Sequence, residues 1–217
     1  MLWRSPKVWT ILCVGDLHGS HASLERVLSA APPEVDAVLL TGDFLDAWDW
    51  RPDRLERIFG GLRTFARPFL FVPGNHDPPR MDMRENVDRR VSWVGRLAVF
   101  GIGGANTRFG FPYEWSDASL QPSDFLPADI LLSHVPPHAS ALDLTKDGRH
   151  VGSKGVADAA SKYSLVVCGH VHEGRGVEHI GDVPCYNCGS ILDERGQVHF
   201  GIAVGTPSGW KLEEWTL

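Results

Sequence analysis

The stretch Val8-Trp9-Thr10-Ile11-Leu12-Cys13-Val14-Gly15-Asp16-Leu17-His18-Gly19 decides the reading of this chain. Seven apolar or β-prone residues run straight into a glycine-bounded loop that carries a carboxylate and an imidazole. Such a run is a buried strand, and the abrupt change to Gly and polar residues marks its carboxyl end. Asp16 and His18 stand two apart, so in an extended segment they point to the same side. A helix is expected from Ser20 to Ala31, with Leu24, Val27 and Leu28 on one face and Pro32-Pro33 stopping it.

The same arrangement recurs along the chain. Ala37 to Leu40 runs into Thr41-Gly42-Asp43, and a helix is expected over Pro52 to Ala66, with Leu55, Ile58, Phe59 and Leu62 at helical spacing. Pro68 to Val72 runs into Pro73-Gly74-Asn75-His76-Asp77. Ile130 to Leu132 leads to Ser133-His134, and Leu165 to Cys168 leads to Gly169-His170-Val171-His172. Two strand-like pieces without a helix occupy Val91 to Gly103, Asn106 to Phe125 reads as loop, and a short helix is expected over Ser153 to Lys162. The tail from Gly176 reads as antiparallel strands turning at Gly181-Asp182, Gly196 and Ser208-Gly209. Strand–helix units followed by strands predict one domain over residues 1–217, with two packed sheets and outer helices. Ligands collect at the carboxyl ends of strands in open α/β sheets, so the five polar loops are expected to converge.

Composition sets the outer bounds. The 217 residues are 43% hydrophobic and 22% charged, as in an ordinary globular domain. A formal net charge of −6 argues against nucleic-acid binding through the overall field. No apolar run approaches the roughly 18 residues of a membrane span. The basic start, Met1 to Pro6, is followed from Lys7 by a segment too short and strand-like for a signal peptide, which predicts a cytoplasmic location. Cys13 and Cys168 sit in apolar runs. Cys185 and Cys188 form a C-x-x-C that could be half a zinc site or a redox pair; no second pair matches it and no helix follows, which favours a structural role.

The loops hold Asp16, His18, Asp43, Asn75, His76, His134, His170 and His172, all of them metal-binding or acid/base types. Carboxylate and imidazole together suit Mn²⁺, Fe, Ni²⁺ or Zn²⁺. Two metals about 3.5–4 Å apart need a shared ligand, for which Asp43 is the natural candidate. Singly, D-x-H, H-x-H, Gly42-Asp43 and Gly74 to Asp77 each have a bland reading as surface pairs or turns. Their occurrence in order, each after an apolar strand, has none.

The set D-x-H, G-D-x-x-D, G-N-H-D, H and G-H-x-H resembles the calcineurin-like metallophosphoesterase family over residues 10 to 190. Asn187-Cys188-Gly189-Ser190 also resembles an N-P-G-S stretch of small bacterial and archaeal members, with Cys188 in place of the proline. The resemblance implies a four-layer α/β/β/α sandwich. It implies one metal on Asp16, His18, Asp43 and His172, a second on Asp43, Asn75, His134 and His170, and a hydroxide between them that attacks phosphorus in line. Mn²⁺ or Fe would be the metals, with Zn²⁺ or Ni²⁺ as alternatives. His76 resembles the family's general acid, and Asp46 would orient its imidazole.

Function follows as hydrolysis of a small-molecule phosphate ester, with a phosphodiester favoured over a monoester by analogy with small family members. A protein-binding scaffold of the same fold is the alternative from another class, disfavoured because every ligand and His76 are present. The acidic balance disfavours a nuclease, and no feature specifies an oligomeric state. Outside the blocks, His138 could touch substrate or face solvent, and His21 reads as exposed. His150 lies in a polar turn, and His179 and His199 lie in edge-like strands; none of the three is given a role. Phe44, Trp48 and Trp50 crowd the loop after Asp43; packing is expected for at least two, with a base-stacking wall as the functional possibility.

Overall fold

The computed structural model describes residues 8–65 and 67–217. Met1 to Lys7, which bear on the reading against a signal peptide, and Ala66, the last residue of the second expected helix, lie outside the described residues. The elements in order are β1 (Trp9–Val14), α1 (His21–Ala30), β2 (Ala37–Leu40), α2 (Pro52–Thr64), β3 (Phe69–Phe71), β4 (Val91–Val94), β5 (Leu97–Ile102) and β6 (Ile130–Ser133). There follow α3 (Lys154–Ala159), β7 (Leu165–Cys168), β8 (Gly176–Ile180), β9 (Val183–Asn187), β10 (His199–Thr206) and β11 (Gly209–Thr216).

Two sheets form, one in the order β11-β10-β1-β2-β3 and the other in the order β4-β5-β6-β7-β9-β8. The strands β1, β2 and β3 run parallel, as do β5, β6, β7 and β9, while β10, β11, β4 and β8 pair antiparallel at the flanks. Side-chain alternation sorts the core into three layers. From β1, Leu12 and Val14 pack under α1 and α2 with Leu24, Val27, Ile58, Phe59 and Leu62, while Ile11 and Cys13 face the second sheet. There they meet Val99, Ile130, Leu132, Leu165 and Val167. On its outer face the second sheet presents Phe100, Leu131 and Val166 to Val156, Ala159 and Tyr163 around α3. The four-layer sandwich expected from the sequence is therefore the fold.

Local signals explain the helix limits. Pro52 opens α2 at a position where its missing N–H costs no hydrogen bond. The Ser153 hydroxyl accepts from Val156 N–H at 3.1 Å and caps α3. The expected helix to Lys162 tightens instead into a 3-10 turn over Ala160–Lys162. Within the expected loop of residues 106–125, two more 3-10 turns form at Asp117–Ser119 and Pro122–Asp124. The tail divides its strands between the sheets, and this corrects one expectation. His199 does not lie on an edge: β10 is flanked by β11 and β1, and the buried ring meets Thr216 and Asp193 at 3.0 and 3.1 Å. His179 is on the edge strand β8 as expected.

Between the sheets, Tyr186 is 1% exposed and its hydroxyl finds no hydrogen-bond partner among the described residues. A buried, unpaired hydroxyl is a net cost, because it surrenders its bonds to water. Tyr186→Phe is therefore expected to stabilise the protein by about 1 kcal/mol. An increase in the urea midpoint at constant slope would show this, whereas a decrease would mean that the hydroxyl is satisfied.

Candidate metal centre

All five polar loops open at the carboxyl ends of β1, β2, β3, β6 and β7, three from one sheet and two from the other. Gly189 and Ile191 pin the first loop. Asp16 N–H donates to Gly189 O at 3.0 Å and Asp16 O accepts from Ile191 N–H at 2.9 Å. The first and second loops are tied where Leu17 and His18 N–H both donate to Asp43 O, at 3.0 and 2.9 Å. Asp77, fully buried, ties the second and third: it accepts from Phe44 N–H and Gly74 N–H at 2.8 Å each, and from Leu45 N–H at 3.4 Å. Burial outweighs these bonds and pushes the Asp77 pKa up to about 7. Gly74 admits no side chain, because a Cβ there would lie 2.0 Å from Asp43 Oδ1.

The side chains then meet. His172 Nε2 lies 3.1 Å from Asp16 Oδ2 and 3.3 Å from His18 Nε2. Two imidazole nitrogens about 2.1 Å from one ion would lie about 3.0–3.4 Å apart, so this pair has the spacing of co-ligands. Asp43 Oδ2 stands 3.9 Å from His18 Nε2 and 3.7 Å from His134 Nε2. Asn75 Oδ1 is 3.0 Å from His134 Nε2, and the His134 and His170 rings are 4.9 Å apart. Three triplets bring ligand atoms within 4.8 Å of one another: Asp16–His18–His172, His18–Asp43–His76 and Asp43–His134–His170. The seven residues expected as ligands thus share one cluster, to which His76 also belongs.

The rings are oriented for that use. His134 Nδ1 donates to Thr41 O at 2.7 Å, which leaves Nε2 as the free acceptor beside Asp43. His18 Nδ1 meets Asp46 Oδ1 at 2.9 Å and likewise turns Nε2 inward. Asp46, expected to orient His76, here meets His18, while His76 Nδ1 accepts from Ala47 N–H at 3.4 Å. Sequence reasoning missed the Thr41 carbonyl because any residue carries one. It also undervalued Asn187, whose buried amide donates to Leu142 O and Val171 O at 2.8 Å each and steadies the His170–His172 loop.

Backbone and charge carry the cost of this arrangement. His18, Asp43 and His170 have φ of 45°, 47° and 68°, a region that residues with a side chain rarely occupy and that clusters at functional sites. Burial pushes the Asp43 pKa up well above the usual carboxylate range, and Asp16 and Asp77 add to it. Burial also raises the Asp16 pKa, but the His172 hydrogen bond and the imidazoles packed around it bring it down to about 2. Burial, then His134, lowers the His170 pKa to about 3, and burial lowers that of His134. These imidazoles are held neutral, as metal ligation requires. Buried carboxylates beside neutral imidazoles are a donor set that fits cations.

Other candidates fall outside the cluster. His138 and His150 lean on Asp143, with Nδ1 atoms 3.3 and 2.6 Å from its two oxygens. His21 is partly exposed at the start of α1. Phe44 is fully buried between Phe59 and Phe71, Trp50 packs against the same core, and Trp48 is 68% exposed. All four cysteines are free and buried. Cys185 faces the outer layer and Cys188 the space between the sheets, so they do not act together. Burial pushes the Cys185 thiol up to about 12, and thiols of that kind are inert.

A family model of calcineurin-like phosphoesterases matches residues 10–174. The chain belongs to the calcineurin-like phosphoesterase family, and its clustered carboxylates and imidazoles are groups that could hold metal ions. An uncharacterized protein of Methanocaldococcus jannaschii is 32% identical over 136 residues, 54% of this chain and 62% of that protein. The match therefore spans somewhat under two thirds of that relative. A crystal structure from Thermus thermophilus has a TM-score of 0.69 at 22% identity, covering 96% of this chain and 99% of that one. A predicted phosphoesterase from Streptococcus pneumoniae has a TM-score of 0.52 at 17% identity, covering 97% and 90%. These two show the shared fold. Among the described residues no helix is long and apolar enough to cross a membrane.

Metal must compete here with protons. Burial lowers the His172 pKa, but the hydrogen bond and charge of Asp16 outweigh this and leave it raised. A raised pKa means that below it the metal-free site carries a proton at His172, which the ion has to displace. Affinity for Mn²⁺ is thus expected to climb from pH 5 to pH 8, by about tenfold per unit while one proton is released. Calorimetry in two buffers of different ionisation enthalpy measures that proton directly. Equal affinity across the range with no proton release would contradict it.

Proposed function

We propose that this chain hydrolyses a phosphodiester of a small molecule at two metal ions bridged by Asp43. The observation that carries the reading is the place of Asp43 Oδ2, between His18 Nε2 at 3.9 Å and His134 Nε2 at 3.7 Å. One carboxylate oxygen thereby serves both ligand sets: Asp16, His18 and His172 on one side, Asn75, His134 and His170 on the other. Bound there, divalent ions such as Mn²⁺ or Fe would lower the pKa of water and neutralise the phosphoryl oxygens.

The chain's own residues supply the rest. His76 stands beside His18, ring to ring at 5.3 Å, and its backbone N–H donates to Asp43 Oδ1 at 2.8 Å. In this reading His76 is the general acid that protonates the leaving oxygen. Burial, then His18, holds its pKa below the ordinary value, so the protonated ring is the minor form at neutral pH but the stronger acid. Asp46 acts at one remove, by fixing His18. A diester is favoured over a monoester by analogy with small single-domain members of the family.

Comparison of kcat/KM for bis-p-nitrophenyl phosphate and p-nitrophenyl phosphate with Mn²⁺ tests the diester reading; faster turnover of the monoester would reverse it. His76→Ala is expected to retain both metals and to lose about 10²–10⁴ in turnover of a diester with a poor alkoxide leaving group. Wild-type turnover in that variant would remove His76 from the role. Asp43→Ala is expected to lose metal itself, and full metal content there would refute the bridge.

A further inference from the structure

A row of aromatic rings leads outward from His76. The Phe111 ring lies 4.8 Å from it, centroid to centroid, Trp48 and Phe109 each lie 6.1 Å from Phe111, and Trp50 lies 5.1 Å from Trp48. Trp48 and Phe109 are 68% and 76% exposed. A hydrophobic side chain of this size left open to water is ordinary when single, but two joined by half-buried rings make a patch, and patches beside polar sites mark ligand surfaces.

The row is held in place from both ends. Trp50 Nε1 donates to His76 O at 2.7 Å, which couples the aromatic loop to the loop of the acid. Trp48 has φ of 68°, a costly conformation for a bulky residue. From the other side, the Glu114 carboxylate gathers the turn that carries both phenylalanines. It accepts from the Thr107 hydroxyl at 2.6 Å, from Phe109 N–H and Gly110 N–H at 2.7 Å each, and from Phe111 N–H at 3.2 Å. A platform built in this way loses little freedom when a ligand settles on it.

We infer that Trp48, Phe109 and Phe111 form a leaving-group subsite for a planar aromatic group, whose biological form is the base of a nucleoside ester. The inference rests on His76 as the acid, because the group bonded to the oxygen it protonates is the one that lies along the row. Faces without charged side chains select for a planar π system and tolerate different bases. In the reaction water adds to phosphorus, the P–O5′ bond breaks, O5′ takes the proton from His76, and the proton released by the water passes to solvent, from which His76 is reprotonated.

Two diesters that differ only in the base test this: the methyl esters of adenosine 5′-phosphate and of ribose 5-phosphate, with the Mn²⁺-loaded enzyme. The adenosine ester is expected to be preferred in kcat/KM by about tenfold or more, and to yield adenosine and methyl phosphate. That preference is expected to fall toward one, by about fivefold or more, in Trp48→Ala and in Phe109→Ala, as removal of a stacking ring requires. Both side chains are exposed, so thermal melts verify that the variants fold. Trp93→Ala, which removes an exposed ring on β4, is expected to keep the preference. A wild-type preference near one, a preference unchanged in both platform variants, or release of methanol and AMP would each overturn the subsite. Failure on these esters with continued hydrolysis of bis-p-nitrophenyl phosphate overturns the subsite alone. Failure on all three substrates with metal bound overturns the phosphodiesterase reading beneath it.

Discussion

Two carboxylates, Asp16 and Asp43, are buried side by side at the ends of adjacent parallel strands, 0% and 2% exposed. Like charges that close, shielded from water, cannot both remain ionised without compensation. The protein answers with imidazoles on every side, from His18, His134 and His172. Imidazoles only partly compensate two buried carboxylates; bound cations would complete the balance. Almost everything else in the molecule can be understood as holding these two groups in place. Parallel β1 and β2 set their separation, the second sheet brings His134 and His170 over them, and the Asn187 amide secures the loop that returns His172.

The loops are rigid because each is bonded to the next. Asp43 alone receives Leu17 and His18 N–H on its carbonyl and His76 N–H on its carboxylate. Those bonds hold His18 and Asp43 at positive φ, where each residue alone would relax. Strain of this kind persists only when the surroundings over-determine the backbone. Buried Asp77, with three backbone donors, is one such determinant, and Gly74 leaves room for the Asp43 carboxylate.

The metal-binding loops were legible in the sequence because the chemistry dictates both residue type and place. Carboxylate, amide and imidazole side chains that directly follow apolar strands stand out, so Asp16, Asp43, Asn75, His134 and His170 announce themselves as candidates. The two-sheet sandwich was legible for the same reason, since strand and helix periods were distinct. Partnerships were less so. Asp46 was assigned to His76 but meets His18, because both rings lie within reach and only the packing chooses. Nothing local shows that the tail returns β10 to the middle of the first sheet, a pairing of residues almost two hundred positions apart. Phe109 and Phe111 carry no local signal either; Glu114 brings them to Trp48, while Phe44, their counterpart in the sequence reading, turns into the core.

The most direct test of the account is anomalous diffraction from crystals loaded with Mn²⁺. Two peaks about 3.5–4 Å apart on either side of Asp43 are expected, one reached by His18 and His172 and the other by His134 and His170. A single peak, or peaks that leave Asp43 out of contact, would contradict a dinuclear centre built on that carboxylate.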